Sequence, residues 1–141
     1  MPKRFTLDAS VAAKWFNNED LTDKALQIRD AFVHGKINLL APEQLIYEVG
    51  NSIWKNKAPT AEEAAKAVEN LIDLQIELIH LNPRLAASAM KTARESHITF
   101  YDAAYIALAD RYEAPLISTD TEILAKSSKN SMHLKDLQMT S

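Results

Sequence analysis

The sequence predicts an α/β fold in which helices cover both faces of a parallel sheet. Short apolar runs alternate with helical stretches of about a dozen residues, a pattern typical of βαβ units. The chain contains only two glycines, so the tight hairpin turns of an antiparallel fold would lack their usual residues. A length of 141 residues suits a single compact domain, and we expect residues 1–141 to form one.

The N-terminal part of the chain predicts a strand, a short helical segment and a long helix. Arg4–Leu7 is a β-prone run, and Ser10–Phe16 follows it with helical composition. A helix is predicted over Asp20–His34, with Gly35 after its C-terminus, where glycine is common. Apolar residues of this helix recur at steps of four, three and four and share one stripe: Leu21, Ala25, Ile28 and Phe32.

The middle of the chain predicts a second strand and two more helices. Ile37–Ala41 is apolar, and Pro42 is expected to open a helix over Glu43–Lys55, because proline is favoured in the first turn. A further helix, rich in alanine, is expected from Thr60 to about Leu74, with acidic residues in its first turn.

The C-terminal part continues the alternation. Ile76–Leu81 is predicted as a strand, Pro83–Ser96 as a helix, and further helices should begin at Thr99 and at about Thr119. Two more apolar runs are expected as strands: Pro115–Ser118 and Met132–Leu134. Tyrosines of the Thr99 helix are expected on its buried face: Tyr101, Tyr105 and Tyr112. The tryptophans, Trp15 and Trp54, are expected to pack inside rather than to stack on bases.

Composition excludes several classes of protein. Hydrophobic residues at 47% and charged residues at 25% are typical of a globular chain, and a net charge of −3 excludes a strongly basic nucleic-acid binder. Without cysteine, any metal must be held by oxygen or imidazole, and the four scattered histidines do not suggest zinc. The longest apolar run, Ala103–Ala109, is too short for a bilayer, and no signal peptide is apparent, so we expect a cytoplasmic protein.

Four carboxylates fall at positions that a parallel sheet brings together. Asp8 follows the first strand, Asp120 follows the fourth, and Asp102 lies in the first turn of the helix after Thr99. The carboxyl ends of parallel strands share one edge of the sheet, so these side chains should meet there. Glu48 can reach the same edge, because it lies beside the expected buried stripe of its helix: Leu45, Val49 and Ile53.

Each carboxylate also has an ordinary explanation. Asp8 and Asp120 can serve as helix caps, and Thr99 and Asp102 match the Ser/Thr-x-x-Asp capping pattern. Together, however, two such charges about 6 Å apart would repel by about 3 kcal/mol at an effective dielectric of about 20. A hard divalent cation relieves this repulsion and promotes attack of water on a phosphodiester. The combination therefore favours metal-assisted phosphodiester hydrolysis.

Four short motifs, in this order, resemble the PIN-domain ribonucleases, and most closely the VapC-like toxins of toxin–antitoxin pairs. They are Leu7–Ser10, Glu48–Asn51, Tyr101–Ala109 and Pro115–Asp120. The resemblance implies a three-layer α/β/α fold with a five-stranded parallel sheet. It also implies endoribonuclease activity on single-stranded RNA with Mg²⁺ or Mn²⁺, a VapB-like antitoxin as partner, and a homodimer.

The resemblance also implies residue roles. Asp8, Glu48, Asp102 and Asp120 match the acidic quartet that holds the metal and carries catalysis. Three polar residues match positions that orient carboxylates and waters: Ser10, Asn51 and Thr119. The helix over Asp20–His34 and the next one would grip the antitoxin and form part of the dimer surface.

Two other functions remain open from the residues. Asp8 after a first strand also suits a phosphotransfer or phosphatase-type α/β domain with an aspartate nucleophile, although Ser10 stands where such phosphatases carry a second aspartate. A PIN-like module that binds RNA or a partner without cutting is the other alternative. Basic residues near the expected site could contact RNA phosphates or simply suit helix ends: Lys14, Lys55 and Lys57.

Overall fold

The computed structural model describes residues 2–127 and 130–139. The strands are β1 (Lys3–Leu7), β2 (Ile37–Pro42), β3 (Glu77–Ile79), β4 (Leu116–Ser118) and β5 (Ser131–His133). The helices are α1 (Ala9–Ala12), α2 (Thr22–Val33), α3 (Gln44–Lys55), α4 (Ala61–Asp73), α5 (Pro83–Ser96), α6 (Phe100–Tyr112) and α7 (Thr121–Lys126). Short 3₁₀ turns follow α1 and β5, at Ala13–Trp15 and Leu134–Asp136.

The five strands form one parallel sheet in the order β3-β2-β1-β4-β5. The central strand β1 pairs with β2 through Thr6 and Leu40, and with β4 through Thr6 and Leu116. The chain first builds β2 and β3 on one side of β1 and then crosses to build β4 and β5 on the other. This reversal lies between β1 and β4, the place where open α/β sheets form a crevice at their carboxyl edge.

Helices pack on both faces of the sheet, as predicted. On β2, Leu40 packs with Leu85 of α5 and Leu108 of α6, whereas its neighbours Leu39 and Ala41 belong to the main core cluster. That cluster includes buried residues of α2 and α3: Ala25, Ile28, Ala31, Leu45, Val49 and Ile53. Successive residues of a strand point to opposite faces, so a near-continuous apolar strand such as β2 requires cover on both. No helix in the described part of the chain is long and apolar enough to cross a membrane.

Capping residues place several helix ends where the sequence predicts them. Thr60 and Glu63 form a capping box at the start of α4, with their reciprocal hydrogen bonds at 3.1 and 2.9 Å. Asn82 caps α5 through the Leu85 N–H, and Gly35 adopts a left-handed φ of 73° just after α2. These residues satisfy backbone groups that the helix itself leaves unpaired.

Four residues depart from their predicted environments, among them Leu21, which precedes α2 with a left-handed φ of 65° and is 37% exposed. Pro42 does not open a helix: it ends β2 opposite Ile79, and α3 begins at Gln44. Tyr101 is 64% exposed, because it lies in the first turn of α6, ahead of the buried run that starts at Ala103. Trp54 is 75% exposed, since it follows Ile53 by one position and so turns about 100° away from the buried stripe of α3. Trp15 is buried, as expected.

Candidate active site

The four predicted carboxylates come from four elements that surround the carboxyl end of β1. Asp8 directly follows β1, and Asp120 follows β4, the neighbouring strand. Glu48 projects from α3, and Asp102 lies in the first turn of α6. Their charges interact: Asp8 raises the pKa of Glu48, and both Asp8 and Asp120 raise the pKa of Asp102. The structure therefore brings the predicted quartet into one electrostatic centre.

Asp8 is the most buried member of the centre, with 4% of its surface exposed. Its Oδ2 accepts hydrogen bonds from the Ser10 hydroxyl at 2.6 Å and from the Ser118 hydroxyl at 2.8 Å. Burial raises the pKa of Asp8, the bonds from the two serines lower it, and the charge of Asp120 raises it further. Asp8 also accepts from the Ser10 N–H as the cap of α1, so the capping interpretation is correct as well.

The two serines fasten the loop after β4 to the start of α1. While each hydroxyl donates to Asp8, the Ser10 Oγ accepts from the Thr119 N–H at 3.0 Å and the Ser118 Oγ accepts from the Asp120 N–H at 2.9 Å. The Ser118 hydroxyl thus joins the carboxylate of Asp8 to the backbone of Asp120 across the neighbouring strands β1 and β4. Sequence reasoning missed Ser118, although its position at the end of a strand beside Asp120 was an available signal.

Glu48 is held by a tyrosine from the opposite helix. The Tyr105 hydroxyl donates a hydrogen bond to the Glu48 Oε2, and the Tyr105 side chain is otherwise enclosed in the core. Burial raises the pKa of Glu48 to about 7, the bond from Tyr105 opposes this, and Asp8 and Asp102 add to it. Tyr105 was predicted only as a core residue. Its spacing of three from Asp102 on one helix face, and the need of a buried hydroxyl for a partner, point to a site residue.

Asp102 and Asp120 differ in how their carboxylates are engaged. At the start of α6, Thr99 Oγ1 accepts from the Asp102 N–H, but among the described residues the Asp102 carboxylate makes no reciprocal capping bond. Burial raises the pKa of Asp102, followed by the charges of Asp120 and Asp8. Asp120 does cap α7, since its Oδ1 accepts from the Glu122 and Ile123 N–H groups at 3.0 and 3.2 Å.

The other predicted polar residues have mixed placements. Ser10 contacts Asp8 as expected, whereas Thr119 reaches the network through its backbone N–H to Ser10. The exposed Asn51 lines a pocket together with Glu48, but it makes no hydrogen bond to a carboxylate within the described residues. Of the lysines, Lys14 is buried and its Nζ lies 3.3 Å from Glu19 Oε1, while Lys55 is exposed and lines the same pocket as Asn51.

The donor set of this centre fits a hard divalent cation in charge and in chemistry. Carboxylate oxygens are the ligands that Mg²⁺ and Mn²⁺ prefer, and carboxylates that raise one another's pKa gain from a shared cation. Over residues 2–127 and 130–139, no three Asp, Glu or His side chains approach closely enough to ligate one ion together. Side-chain rotation would therefore be needed to close a full ligand shell.

The comparisons with known proteins place this geometry in a family. A family model described as PIN domain matches residues 5–129. Ribonuclease VapC3 of Pyrobaculum aerophilum is 27% identical over 127 residues, which cover 87% of this chain and 94% of that protein. Exonuclease VapC9 of the same organism is 29% identical over 97 residues, covering 69% of this chain and 73% of that protein.

A solved structure agrees on the fold. VapBC2 from Rickettsia felis, solved with a DNA fragment from their promoter, superposes with a TM-score of 0.71 at 11% identity, covering 92% of this chain and 98% of that one. At this identity the likeness concerns the fold. The family match spans most of the sequence and includes all four carboxylates of the centre. The chain belongs to the PIN domain family.

Proposed function

We propose that this protein is the toxin of a toxin–antitoxin pair and cuts single-stranded RNA internally, using Mg²⁺ or Mn²⁺. The observation that carries the proposal is the electrostatic centre formed by Asp8, Glu48, Asp102 and Asp120 at the switch point of the sheet. The family match and the ribonuclease among the relatives support RNA as the substrate. A module that only bound RNA would gain nothing from an anionic crevice that faces phosphates.

The four carboxylates would hold the cation, and neighbouring groups set their orientation. Ser10 and Ser118 occupy Oδ2 of Asp8, which leaves Oδ1 for the cation, and Tyr105 occupies Oε2 of Glu48, which leaves Oε1. When bound, the metal polarises the phosphodiester and lowers the pKa of a water. Because its pKa is raised to about 7, the Glu48 carboxyl is present in both protonated and ionised forms near neutral pH in the metal-free protein.

The position of the cut distinguishes an endonuclease, which cuts inside the RNA, from an exonuclease, which cuts at an end. The question arises because one relative is named a ribonuclease and the other an exonuclease. We expect the protein to cut a circular single-stranded RNA in the presence of Mg²⁺ or Mn²⁺ and not in chelator. Asp8→Asn and Asp102→Asn should slow this cleavage by about 10²-fold or more, because each removes one charge that the metal needs. Gel analysis of the circular substrate measures both effects.

Asp110→Asn is the matched control, since Asp110 lies in the last turns of the same helix as Asp102. This variant should cleave at the wild-type rate. Cleavage of linear RNA but not of circular RNA would show an exonuclease instead, and unchanged cleavage by Asp8→Asn would contradict the proposed centre.

The raised pKa of Glu48 predicts how stability depends on pH. Below pH 4.5 the carboxyl is protonated in both the folded and the unfolded chain. Between pH 4.5 and about 7 the unfolded chain releases this proton first, so the free energy of unfolding falls as the pH rises. Glu48→Gln accepts the same bond from Tyr105 without ionising. In chelator at pH 8 it should be more stable than the wild type, with the difference shrinking towards pH 4.5.

Urea unfolding of both proteins across this pH range is the measurement. Glu62→Gln serves as the control, because Glu62 is exposed in the first turn of α4, and its profile should follow the wild type. Parallel pH profiles for the wild type and Glu48→Gln would show that the crevice does not disfavour the charge of Glu48.

The proposal includes a VapB-like antitoxin that inserts an arginine into the crevice. The negative charge of the centre supports this, because a guanidinium pairs strongly with carboxylates and replaces the charge of a cation. We expect the co-purified complex with the product of a small adjacent reading frame to bind Mn²⁺ more weakly than the free protein, by titration calorimetry. Equal Mn²⁺ affinity in the two forms would argue against occupation of the crevice.

We also infer that the chain forms a homodimer through the outer face of α3. Tyr47 and Trp54 are 80% and 75% exposed and lie seven residues apart on that face, and exposed aromatic pairs are typical of interfaces. Tyr47→Glu with Trp54→Glu should convert a dimer to a monomer in sedimentation experiments. Ile72→Glu, at an exposed residue of α4, should stay dimeric. A wild type that sediments as a monomer would contradict the inference.

A further inference from the structure

A polar pocket adjoins the carboxylate centre, and the proposed metal site gives it no role. The pocket has a volume of about 470 Å³ and lies between residues 17–19, which follow the first 3₁₀ turn, and the C-terminal half of α3. Glu48 is part of its lining, so the pocket opens directly beside the centre. Its size falls in the range of small-molecule sites, roughly 300–1,000 Å³.

The inner wall of the pocket is fixed by hydrogen bonds. Asn17 is only 8% exposed; its amide nitrogen donates to the Ser52 Oγ at 2.8 Å, and its Oδ1 accepts from the Asn56 amide at 3.0 Å. The Asn56 Oδ1 in turn accepts from the Ala58 N–H. These bonds join the loop to α3 and to the residues after it, so the shape of the pocket exists before any ligand arrives.

Other lining groups are available to a ligand. The side chains of Asn18 and Asn51 are exposed, and within the part of the chain described here their amides make no hydrogen bond. Lys55 forms no ion pair with any described residue, whereas the carboxylate of Glu19 is paired with the buried Lys14 at 3.3 Å. The pocket thus presents free amide donors and acceptors next to an unneutralised ammonium group.

We propose that this pocket binds one nucleotide of the RNA, next to the bond that is cut; this rests on the proposed ribonuclease function. The Asn18 and Asn51 amides hydrogen-bond to the edge of the base, and Lys55 contacts an adjacent phosphate. A primary amide offers both donors and an acceptor, and so pairs with the mixed donor and acceptor edge of a base. All eight lining residues are polar, so an apolar peptide side chain finds no matching contact there.

Cleavage of a single-stranded RNA pool with randomised sequence, followed by sequencing of the cut ends, tests the specificity. The wild type should prefer particular bases at one position beside the cut. Asn18→Ala and Asn51→Ala should weaken that preference and raise KM about 3- to 10-fold, the loss expected for one or two hydrogen bonds, and for Asn18→Ala kcat should change little. Lys55→Ala should raise KM for all sequences alike and lower the salt dependence of log KM by about 0.7 to 1.

Matched controls come from exposed residues of other helices. Asn70→Ala on α4 and Lys91→Ala on α5 should leave the base preference, KM and salt dependence at wild-type values. Unchanged preference, KM and salt dependence in all three pocket variants would overturn the proposal. So would variants that cut RNA normally but bind the antitoxin more weakly, because the pocket would then belong to the protein partner.

A binding measurement separates this proposal from the ribonuclease activity. The four nucleoside 5′-monophosphates are titrated into the full chain in chelator and followed by NMR. They should shift the side-chain amide signals of Asn18 and Asn51, and Asn51→Ala should weaken the binding. Such binding without any RNA cleavage would support the pocket and contradict the proposed function. Cleavage without such binding, and with an unchanged base preference, would contradict the pocket alone.

Discussion

The site depends on a buried carboxyl group, that of Asp8, which the sheet places at the carboxyl end of its central strand β1. An ionised carboxylate removed from water is unfavourable unless hydrogen bonds replace its hydration. Here two serine hydroxyls, one from α1 and one from the end of β4, converge on one oxygen, which also accepts from the Ser10 N–H. The same hydroxyls also accept hydrogen bonds from backbone N–H groups of the loop after β4. The side chains that stabilise the Asp8 carboxylate therefore also position Asp120.

Structural and chemical roles coincide in this centre. Asp8 and Asp120 are each the cap of the helix that follows, and each also contributes negative charge to the crevice. A carboxylate has several lone pairs, so one oxygen can satisfy backbone donors while the other faces the crevice. From the sequence, capping and a role in the site are alternative explanations for Asp8 and Asp120. In the structure, each residue has both roles. For Asp102 the cap of the helix is Thr99, which accepts from the Asp102 N–H, and the charges of Asp8 and Asp120 act on the Asp102 carboxylate.

Much of the fold and part of the centre could be predicted because local rules govern them. The ends of β1 and β4 locate Asp8 and Asp120, and the phase of α3 relative to its buried stripe locates Glu48. Ser118 and Tyr105 were missed as site residues because their roles come from contacts over long sequence separations, 110 residues from Ser118 to Asp8 and 57 from Tyr105 to Glu48. The prediction for Trp54 rested on the residue type alone, whereas the phase of the α3 stripe turns it to the surface, and Tyr101 is exposed because it lies in the first turn of α6.

The pairing of β1 with β4, which are far apart in the sequence, has a consequence for biosynthesis. Asp8 is translated before its partner Ser118 and the fellow carboxylate Asp120, which come more than a hundred residues later. A nascent chain that ends before β4 therefore lacks one side of the crevice, and the long loop closure delays assembly further. A ribosome making this protein is not exposed to a finished nuclease until the segment from β4 to Asp120 has been synthesised.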